Sequence, residues 1–383
     1  MKRLLSVLFV AMLLVTTCAC EQVQDQTNPS FTQPITPIIP GGVNTEIPPV
    51  AQQPMFAASM PYIVQDYTAE DGSVVLQHIT QNLELIVPDP EIADTVIIDY
   101  LNRTDPERND FQGLLNEAQN AYTSDALPSP YLLQNTFVPQ RIDQGVFSLL
   151  GQAVVYKGNS HPEVSLESVS YDLATGKVLL FSDILHKDAD VTTLLEYVLD
   201  TLKAQEDDLV LYEGYADTVK NAFHAPENWY FSQKGLVFYY SPYEIAPYAS
   251  GTVRAEIAYN KLPGILNDAY FPAETDGASG QLLVSSMNID QLENCTQIAE
   301  IVCTENGVRA VISTDGLLHD IWIERIDEAA NTIIFRCATL SPGDGIIIHA
   351  TEKDSFKIHY TVGGTQCTKN LSFSDSGTPQ ITE

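Results

Sequence analysis

Residues 228–251 read NWYFSQKGLVFYYSPYEIAPYASG and combine two strand-forming runs with a turn rich in tyrosine and proline. The aromatic and β-branched residues predict strands at Trp229–Ser232 and Leu236–Tyr240, and a third strand follows at Thr252–Tyr259. Residues 239–251 join the last two strands and hold four tyrosines, two prolines and one charged residue. So many rings in a turn that faces water make it a candidate binding surface.

The chain before this stretch alternates strand and helix patterns. Residues 62–88 alternate apolar and polar side chains around an EDGS turn, which predicts two antiparallel strands. Asp89 and Pro90 are typical of a helix start, and apolar residues then recur at helical spacing. The same patterns predict further helices at Asp110–Tyr122, Asp190–Ala204, Tyr215–Phe223 and Asn260–Asn267, and strands at Leu132–Arg141 and Val146–Tyr156. We expect residues 60–272 to form an α+β unit, an antiparallel sheet with helices packed on one face.

The pattern changes after residue 272. Residues 273–280 read AETDGASG, a small and flexible composition that predicts a linker. Seven short strand patterns follow in residues 281–383 without a helical stretch. This spacing predicts a small all-β sandwich.

Four cysteines, Cys295, Cys303, Cys337 and Cys367, lie in this last region. An even number in an exported module allows two disulfides, with three pairings that the sequence does not distinguish. We expect at least one bridge. The alternative is that these cysteines are buried thiols that act as small apolar residues.

The N-terminus predicts an export signal at residues 1–20. Lys2 and Arg3 precede an apolar run that is too short to span a bilayer, and the run ends in TTCAC. A cysteine at this place is similar to the lipid-attachment cysteine of bacterial lipoproteins, which carries acyl chains such as palmitate. Cys20 follows the small Ala19 and is the favoured site, with Cys18 as the alternative. A plain secretory signal is the competing interpretation.

Residues 21–59 predict a tether. They are rich in Pro, Gln, Thr and Asn, and such a stretch cannot bury enough apolar surface to order itself. Two acyl chains would hold the protein at the membrane surface, since a single chain binds only marginally. We therefore expect an extracytoplasmic lipoprotein that contacts the cell membrane through its lipid anchor only.

The charge balance restricts the partners. The chain has 19 basic and 50 acidic residues, and loss of Lys2 and Arg3 with the signal changes the net charge from −31 to −33. Nucleic acid is excluded as a partner because phosphates require a basic surface. A cationic protein would be attracted. Solubility of an exported protein is the simpler explanation of the same charge.

Catalytic and metal-binding motifs are absent from the sequence. It contains no HExxH, GxSxG, GxGxxG, GxxxxGK or CxxC motif, so we expect no enzyme, no cofactor and no metal. His349 and His359 lie on neighbouring predicted strands, but no third metal ligand accompanies them. His161 and His224 stand beside prolines, where local hydrogen bonding at turns is their expected role.

Several stretches together resemble a known family. YKGNSHP (156–162), SYDLATGKVLLFSDIL (170–185), the opening stretch and VRAEIAYNKL (253–262) are similar to the extracellular region of the lysozyme-sensing anti-sigma factors of Gram-positive bacteria. The same paired domains of unknown function accompany some exported peptidoglycan deacetylases. The resemblance covers about residues 60–272, and its most specific parts are the tyrosine-rich turn and the turn at Asp172–Lys177.

The chain departs from this family in two ways. The turn Gly158–Pro162 reads GNSHP where the family has a sequence similar to Gly-Gly-Ala-His-Pro. Only three residues precede the apolar run, so we expect no cytoplasmic anti-sigma segment and no signalling to a sigma factor. The His-x-x-x-His motif of the deacetylase domain is also absent.

The resemblance implies a protein-binding lipoprotein whose partner is lysozyme or another cationic wall hydrolase. The alternatives are a module that binds peptidoglycan by stacking rings on sugars, and a structural spacer. Pro247 and Tyr248 stand at the tip of the turn, beyond the strand pattern, and are the expected contact residues together with Tyr243. Tyr239, Tyr240 and Tyr243 can instead alternate into the core and join the two strands.

Overall fold

The computed structural model describes residues 55–124, 126–158, 161–223, 226–273, 279–286, 296–304, 307–326 and 331–382, without the side chains of 296–298. The strands are β1 (Ala57–Ser59), β2 (Tyr62–Thr68), β3 (Val74–Gln81), β4 (Glu84–Ile86), β5 (Tyr131–Ile142), β6 (Val146–Tyr156), β7 (Glu163–Asp172), β8 (Trp229–Phe231), β9 (Gly235–Tyr240), β10 (Val253–Ala258), β11 (Leu282–Ser286), β12 (Thr296–Val302), β13 (Val308–Thr314), β14 (Leu318–Arg325), β15 (Thr332–Leu340), β16 (Asp344–Ala350), β17 (Phe356–Val362), β18 (Thr365–Phe373) and β19 (Pro379–Thr382). The helices are α1 (Pro90–Thr104), α2 (Phe111–Thr123), α3 (Phe181–Ile184), α4 (Val191–Lys203) and α5 (Tyr215–Ala222).

A five-stranded sheet with the order β2-β3-β5-β6-β7 forms the first layer of the α+β region. Its neighbours are antiparallel except for β3 and β5, which are parallel and are connected through α1 and α2. Both helices cover one face: the Tyr100 ring of α1 contacts the Phe137 ring of β5, and Leu114 of α2 packs with Leu133. The mixed sheet with helices on one face confirms the predicted α+β class.

A second sheet, β10-β9-β8, covers the opposite face of β6 and β7. Tyr230, Val237 and Tyr239 point toward Leu150 of the first sheet, and the Phe231 amide donates a hydrogen bond to Ser148 Oγ at 3.0 Å. Successive side chains of a strand alternate between faces, so Trp229, Phe231, Phe238 and Tyr240 point the other way, toward α3, α4 and α5. The region therefore has four layers, with helices outside and two sheets between them.

The helix α4 shows how the sequence specifies the outer layer. The Asp190 side chain accepts a hydrogen bond from the Thr192 amide at 3.0 Å and so caps the first turn. Leu194, Val198 and Leu202 follow at helical spacing and are fully buried against the second sheet. Burial of each such side chain contributes about 1.5–3 kcal/mol, which fixes this face of the helix inward.

Two further sheets form the C-terminal all-β region. One has the order β19-β18-β17-β14-β15-β1-β4 and the other β11-β13-β16-β12. Their facing side chains make one core, with Ile321, Phe335, Ile348 and Phe356 all buried. Strand β1 lies between β15 and β4, with Ala57 opposite Cys337, so residues at the end of the expected tether complete a sheet of the sandwich.

The four cysteines of this region do not form the two disulfides that the sequence allows. Cys337 is fully buried in the core and carries a free thiol, and burial raises the pKa of that thiol. Cys367 also carries a free thiol, and Cys303 packs at the margin of the core. Two bridges are therefore excluded, and the interpretation as small apolar residues fits Cys337. The expectation of at least one bridge stays a prediction. Cys295 lies outside the described residues.

The predicted helix Asn260–Asn267 is also wrong. A single 3₁₀ turn, Tyr259–Lys261, takes its first part, and Leu266 then pairs with Leu185 in an isolated β-bridge. Pro263 has no backbone N–H and so cannot donate a helical hydrogen bond. Gly264 follows with φ +75°, a left-handed conformation that ends any helix.

A fully buried arginine joins β5 to this segment. Arg141 Nε donates to Asp143 Oδ2 at 2.6 Å, and its Nη1 donates to Tyr259 Oη at 2.6 Å and to the Tyr270 carbonyl at 2.7 Å. The guanidinium also lies over the rings of Phe231 and Tyr259, 5.4 and 5.3 Å from their centroids. These contacts fix the end of the second sheet to the first.

Candidate functional site

The turn between β9 and β10 is attached to the protein at its centre. Ile245 and Ala246 are buried in the core beneath the second sheet. The Tyr212 amide, on the connection between α4 and α5, donates a hydrogen bond to the Ile245 carbonyl at 2.9 Å. The turn is therefore held by its own apolar residues and by a neighbouring segment.

Local hydrogen bonds fix the first half of the turn. The Tyr243 amide donates to the Ala246 carbonyl at 3.0 Å, and the Glu244 amide donates to the Ser241 carbonyl at 3.0 Å. The Glu244 carboxylate in turn accepts from the Ser241 amide at 2.8 Å. Burial raises the pKa of Glu244, and the bond from Ser241 opposes that rise.

The second half of the turn is a short 3₁₀ segment, Tyr248–Ser250, which begins after Pro247. The Gly251 amide donates to the Tyr248 carbonyl at 3.0 Å and closes it. Gly251 has φ +64° and ψ −148°, a region open almost only to glycine. The two prolines and Gly251 therefore restrict the backbone of the turn, and its stiffness stays a prediction.

Tyr243 has an unusual backbone. Its φ is +72°, and the structure describes only two other non-glycine residues with positive φ, Asp110 and Asp320. A left-handed conformation costs a residue with a Cβ roughly 1–2 kcal/mol. The strained backbone directs the Tyr243 ring outward, where 65% of the residue is exposed. The alternative, in which Tyr243 alternates into the core with its neighbours, is wrong.

Three rings lie in a row on this surface. The Tyr243 and Tyr248 ring centroids are 5.5 Å apart with planes tilted by 33°. The other neighbour of Tyr248 is His161, at 5.5 Å and 49°. We call Tyr243, Tyr248 and His161 the ring row. The structure thus brings together two of the three predicted contact residues, and Pro247 stands half-buried beside them.

Tyr239 and Tyr240 do not belong to this surface. Tyr239 is buried between the two sheets, where its hydroxyl donates to Ser168 Oγ at 3.2 Å and burial raises its pKa to about 12. Tyr240 is buried on the helix side. The alternative role as core residues therefore holds for these two tyrosines.

The sequence did not indicate the role of His161. It lies in the GNSHP turn between β6 and β7, and a ring contact rather than a turn hydrogen bond is its described interaction. Asn159, Ser160 and His224 lie outside the described residues. A pairing between residues 87 positions apart leaves no local signal, because neither periodicity nor spacing connects two turns.

Acidic side chains lie near the turn. The connection between α4 and α5, which bonds to the turn through Tyr212, carries exposed Glu206, Asp207, Asp208 and Glu213. No basic residue occurs from 204 to 219. The segment that bonds to the turn therefore carries negative charge, as the whole chain does.

The structure offers no support for a metal centre. His349 lies on β16, where Nδ1 accepts from Arg309 Nε at 3.1 Å and Nε2 contacts Glu300. His359 lies on β17 in the other sheet and stacks on Trp322 with centroids 4.5 Å apart. The two histidines therefore do not face each other. Within the described ranges, no group of three or more His, Cys, Asp and Glu side chains could hold a metal ion.

Cys20 and Cys18, the two candidates for lipid attachment, lie outside the described residues, as do all of residues 1–54. None of the helices in the described part of the chain has the length and hydropathy of a membrane span.

Comparison with known proteins identifies one domain. Residues 182–260 match the family described as protein of unknown function DUF3298, so the chain contains a DUF3298 domain. The matched residues run from α3 to just beyond β10 and include the whole turn. No curated protein matches the chain in sequence.

Two solved structures of DUF3298 proteins are similar to this chain. The protein from Bacteroides fragilis has 16% sequence identity and a TM-score of 0.42, and the match covers 56% of this chain and 94% of that one. The protein from Pseudomonas aeruginosa has 17% identity and a TM-score of 0.38, with 58% and 99% covered. The finer resemblance to lysozyme-sensing anti-sigma factors is carried by the sequence stretches alone.

Proposed function

We propose that this chain is a non-catalytic cell-envelope lipoprotein that binds a cationic protein, lysozyme or another wall hydrolase, through the ring row and Pro247. The observation that carries the proposal is the Tyr243 ring, turned outward by a strained backbone and in contact with the Tyr248 ring. Strain of this kind persists only where the surroundings enforce it, and it is concentrated at functional sites. Lysozyme is the partner that the family resemblance implies.

The stiffness of the turn supports binding. Association costs free energy for every side chain and loop that must be ordered, and a turn fixed in advance avoids part of that cost. Tyrosine adds a large apolar ring with a polar tip and few rotatable bonds, and it is enriched among the residues that dominate interfaces. The exposed Tyr243 face can also attract a lysine or arginine of the partner.

Charge supports a cationic partner. The α4–α5 connection, whose Tyr212 amide bonds to the turn, carries four exposed acidic residues, and the chain as a whole carries −31. Long-range attraction of this kind accelerates association and weakens as salt rises, because the screening length falls to about 8 Å at physiological ionic strength.

A peptidoglycan-binding module is the second candidate. The same exposed Tyr243 ring could stack on a sugar, and stacking does not require charge. The two candidates differ in their response to salt. Lysozyme binding should weaken between low and high ionic strength, whereas sugar stacking should hardly change.

The test uses residues 21–383, immobilised and exposed separately to lysozyme and to purified peptidoglycan. We expect lysozyme to bind, and the Pro247→Ala/Tyr248→Ala double variant to bind at least tenfold more weakly, which corresponds to ~1.4 kcal/mol. The thermal stability of the variant should stay close to that of the native chain, because neither residue belongs to the buried core. A well-folded double variant with native affinity would exclude the turn from the site, and binding to peptidoglycan alone would favour the second candidate.

A further inference from the structure

A second surface, separate from the ring row, lies among α3, α4 and α5. It is an open groove of about 590 Å³. Its apolar lining comes from Leu180, Phe181, Leu185, Val191, Leu195 and Phe223. Leu180 is the most exposed of these, with 63% of its surface in contact with solvent. Exposed apolar side chains gathered in one concave place are typical of a binding surface.

The floor of the groove is rigid. The Phe181 ring contacts Phe223, Trp229 and Phe238, with centroid distances of 6.1, 6.1 and 5.9 Å. Trp229 and Phe238 belong to the second sheet and are buried. The shape of the floor is therefore fixed by the core of the domain, and a ligand would meet a preformed apolar surface.

The segments that contribute the lining of the groove, which we call its rim, are acidic overall. Residues 180–200, 215–223 and 226–227 contain seven acidic residues and two lysines. Glu227 lines the groove directly. Lys220, the basic residue of the lining, already pairs with the exposed Asp217 at 3.4 Å. An apolar floor with an acidic rim is complementary to a ligand that has an apolar face flanked by positive charges.

We propose that this groove binds a cationic amphipathic helix, with the leucines of the helix against Phe181 and Leu195 and its lysines toward the acidic rim. Helices dock in this way when apolar side chains at positions i, i+3, i+4 and i+7 enter a hydrophobic groove. The α4 wall of the groove is the first turn of that helix, from Val191 to Leu195, and α3 and the end of α5 supply the other walls. This proposal does not depend on the ring row.

The probe is an 18-residue peptide of leucine and lysine at helical spacing, without tryptophan, and its control is a scrambled peptide of the same composition. The chain has two tryptophans, so Trp322→Phe leaves Trp229, next to the groove floor, as the reporter. We expect the helical peptide to change the Trp229 emission in a saturable way, with binding weakened by salt. The scrambled peptide should bind at least tenfold more weakly.

A matched pair of variants locates the site. Leu180→Asn removes an exposed leucine at the N-cap of α3, where asparagine is a favoured residue, so folding should be preserved. Ile98→Asn removes an aliphatic residue of similar exposure, 61%, from α1. We expect Leu180→Asn to weaken peptide binding at least fivefold and Ile98→Asn to leave it unchanged. The Pro247→Ala/Tyr248→Ala variant should bind the peptide normally even if it loses lysozyme.

Several outcomes would overturn the proposal. Equal binding of the helical and scrambled peptides would show charge attraction alone, and equal loss in both asparagine variants would place the contact elsewhere. Saturable binding of sodium decanoate without binding of the peptide would identify a small-amphiphile site. Self-association that Leu180→Asn abolishes would identify a second copy of the chain as the occupant.

Discussion

Replacement of Tyr243 by glycine separates binding from folding. Glycine accepts φ +72° without strain, so the folded state regains roughly 1–2 kcal/mol. Glycine also has more conformational freedom than tyrosine in the unfolded chain, and the loss of that freedom on folding costs about 0.5–1 kcal/mol of stability. It also removes the buried third of the ring, worth about 0.5–1 kcal/mol of the 1.5–3 kcal/mol expected for full burial. These contributions nearly cancel, and we expect the stability to change by less than ~1 kcal/mol.

Binding should respond differently to the same substitution. Truncation of an anchoring tyrosine commonly costs more than ~1 kcal/mol at an interface, so Tyr243→Gly should weaken lysozyme binding about fivefold to tenfold. Calorimetric titration measures the affinity, and thermal unfolding measures the stability. A change of ~1 kcal/mol in the free energy of unfolding shifts the thermal midpoint by about 2–4 °C in a domain of 150–250 residues.

Asp110→Gly is the matched control. Asp110 is an exposed non-glycine residue with φ +50° at the start of α2, far along the chain from the turn. This variant also relieves backbone strain but removes no ring, so its affinity for lysozyme should equal that of the native chain. A fall of ~10 °C or more in the Tyr243→Gly midpoint would show that the ring supports the core. Native affinity in a stable Tyr243→Gly protein would refute its role in binding.

Three further predictions concern stability and anchoring. Arg141→Met should destabilise the protein by about 3–5 kcal/mol in denaturant unfolding, because Asp143 loses its buried partner. Burial raises the pKa of Asp344 in the folded protein above 3.8, its ordinary value. Above pH 3.8 the carboxyl ionises more readily in the unfolded chain, so its ionisation lowers the free energy of unfolding. Asp344→Asn should therefore raise the thermal midpoint at pH 7 and lose this advantage below pH 3.8, whereas an advantage independent of pH would contradict the reasoning. Replacement of Cys18 and Cys20 by serine should release the protein from membranes into the medium, as fractionation would show, and full retention would disprove lipid anchoring.

Local signals in the sequence were sufficient for most helices and strands. The Asp190 cap and the apolar repeat after it predicted α4 to within one residue at each end, and Val146–Tyr156 was predicted with its observed bounds. Both depend on interactions within a few residues or on one alternating pattern. The helix expected at Asn260–Asn267 shows the limit of such patterns, because Pro263 and Gly264 outweigh the apolar spacing there.

Long-range pairing could not be predicted in the same way. Strand β1 has only three residues, and its partner Cys337 lies 280 positions later in the chain. Neither the length of β1 nor its composition distinguishes it from the end of a proline-rich tether. Likewise, nothing near His161 indicates contact with Tyr248. Such pairs depend on how whole sheets and helices pack together. This packing cannot be predicted from the local pattern of a single sequence.

The exposure of Tyr243 follows from a competition between strain and burial. Strand alternation beyond Tyr239 and Tyr240 favours an inward ring at this position, and a relaxed backbone would remove a cost of roughly 1–2 kcal/mol. Ile245, two residues later, is fully buried, which contributes about 1.5–3 kcal/mol and fixes the path of the turn. The hydrogen bond from the Tyr212 amide to the Ile245 carbonyl holds the same point from outside. Since burial of Ile245 outweighs the strain at Tyr243, the core beneath the second sheet keeps the ring presented to solvent before any partner arrives.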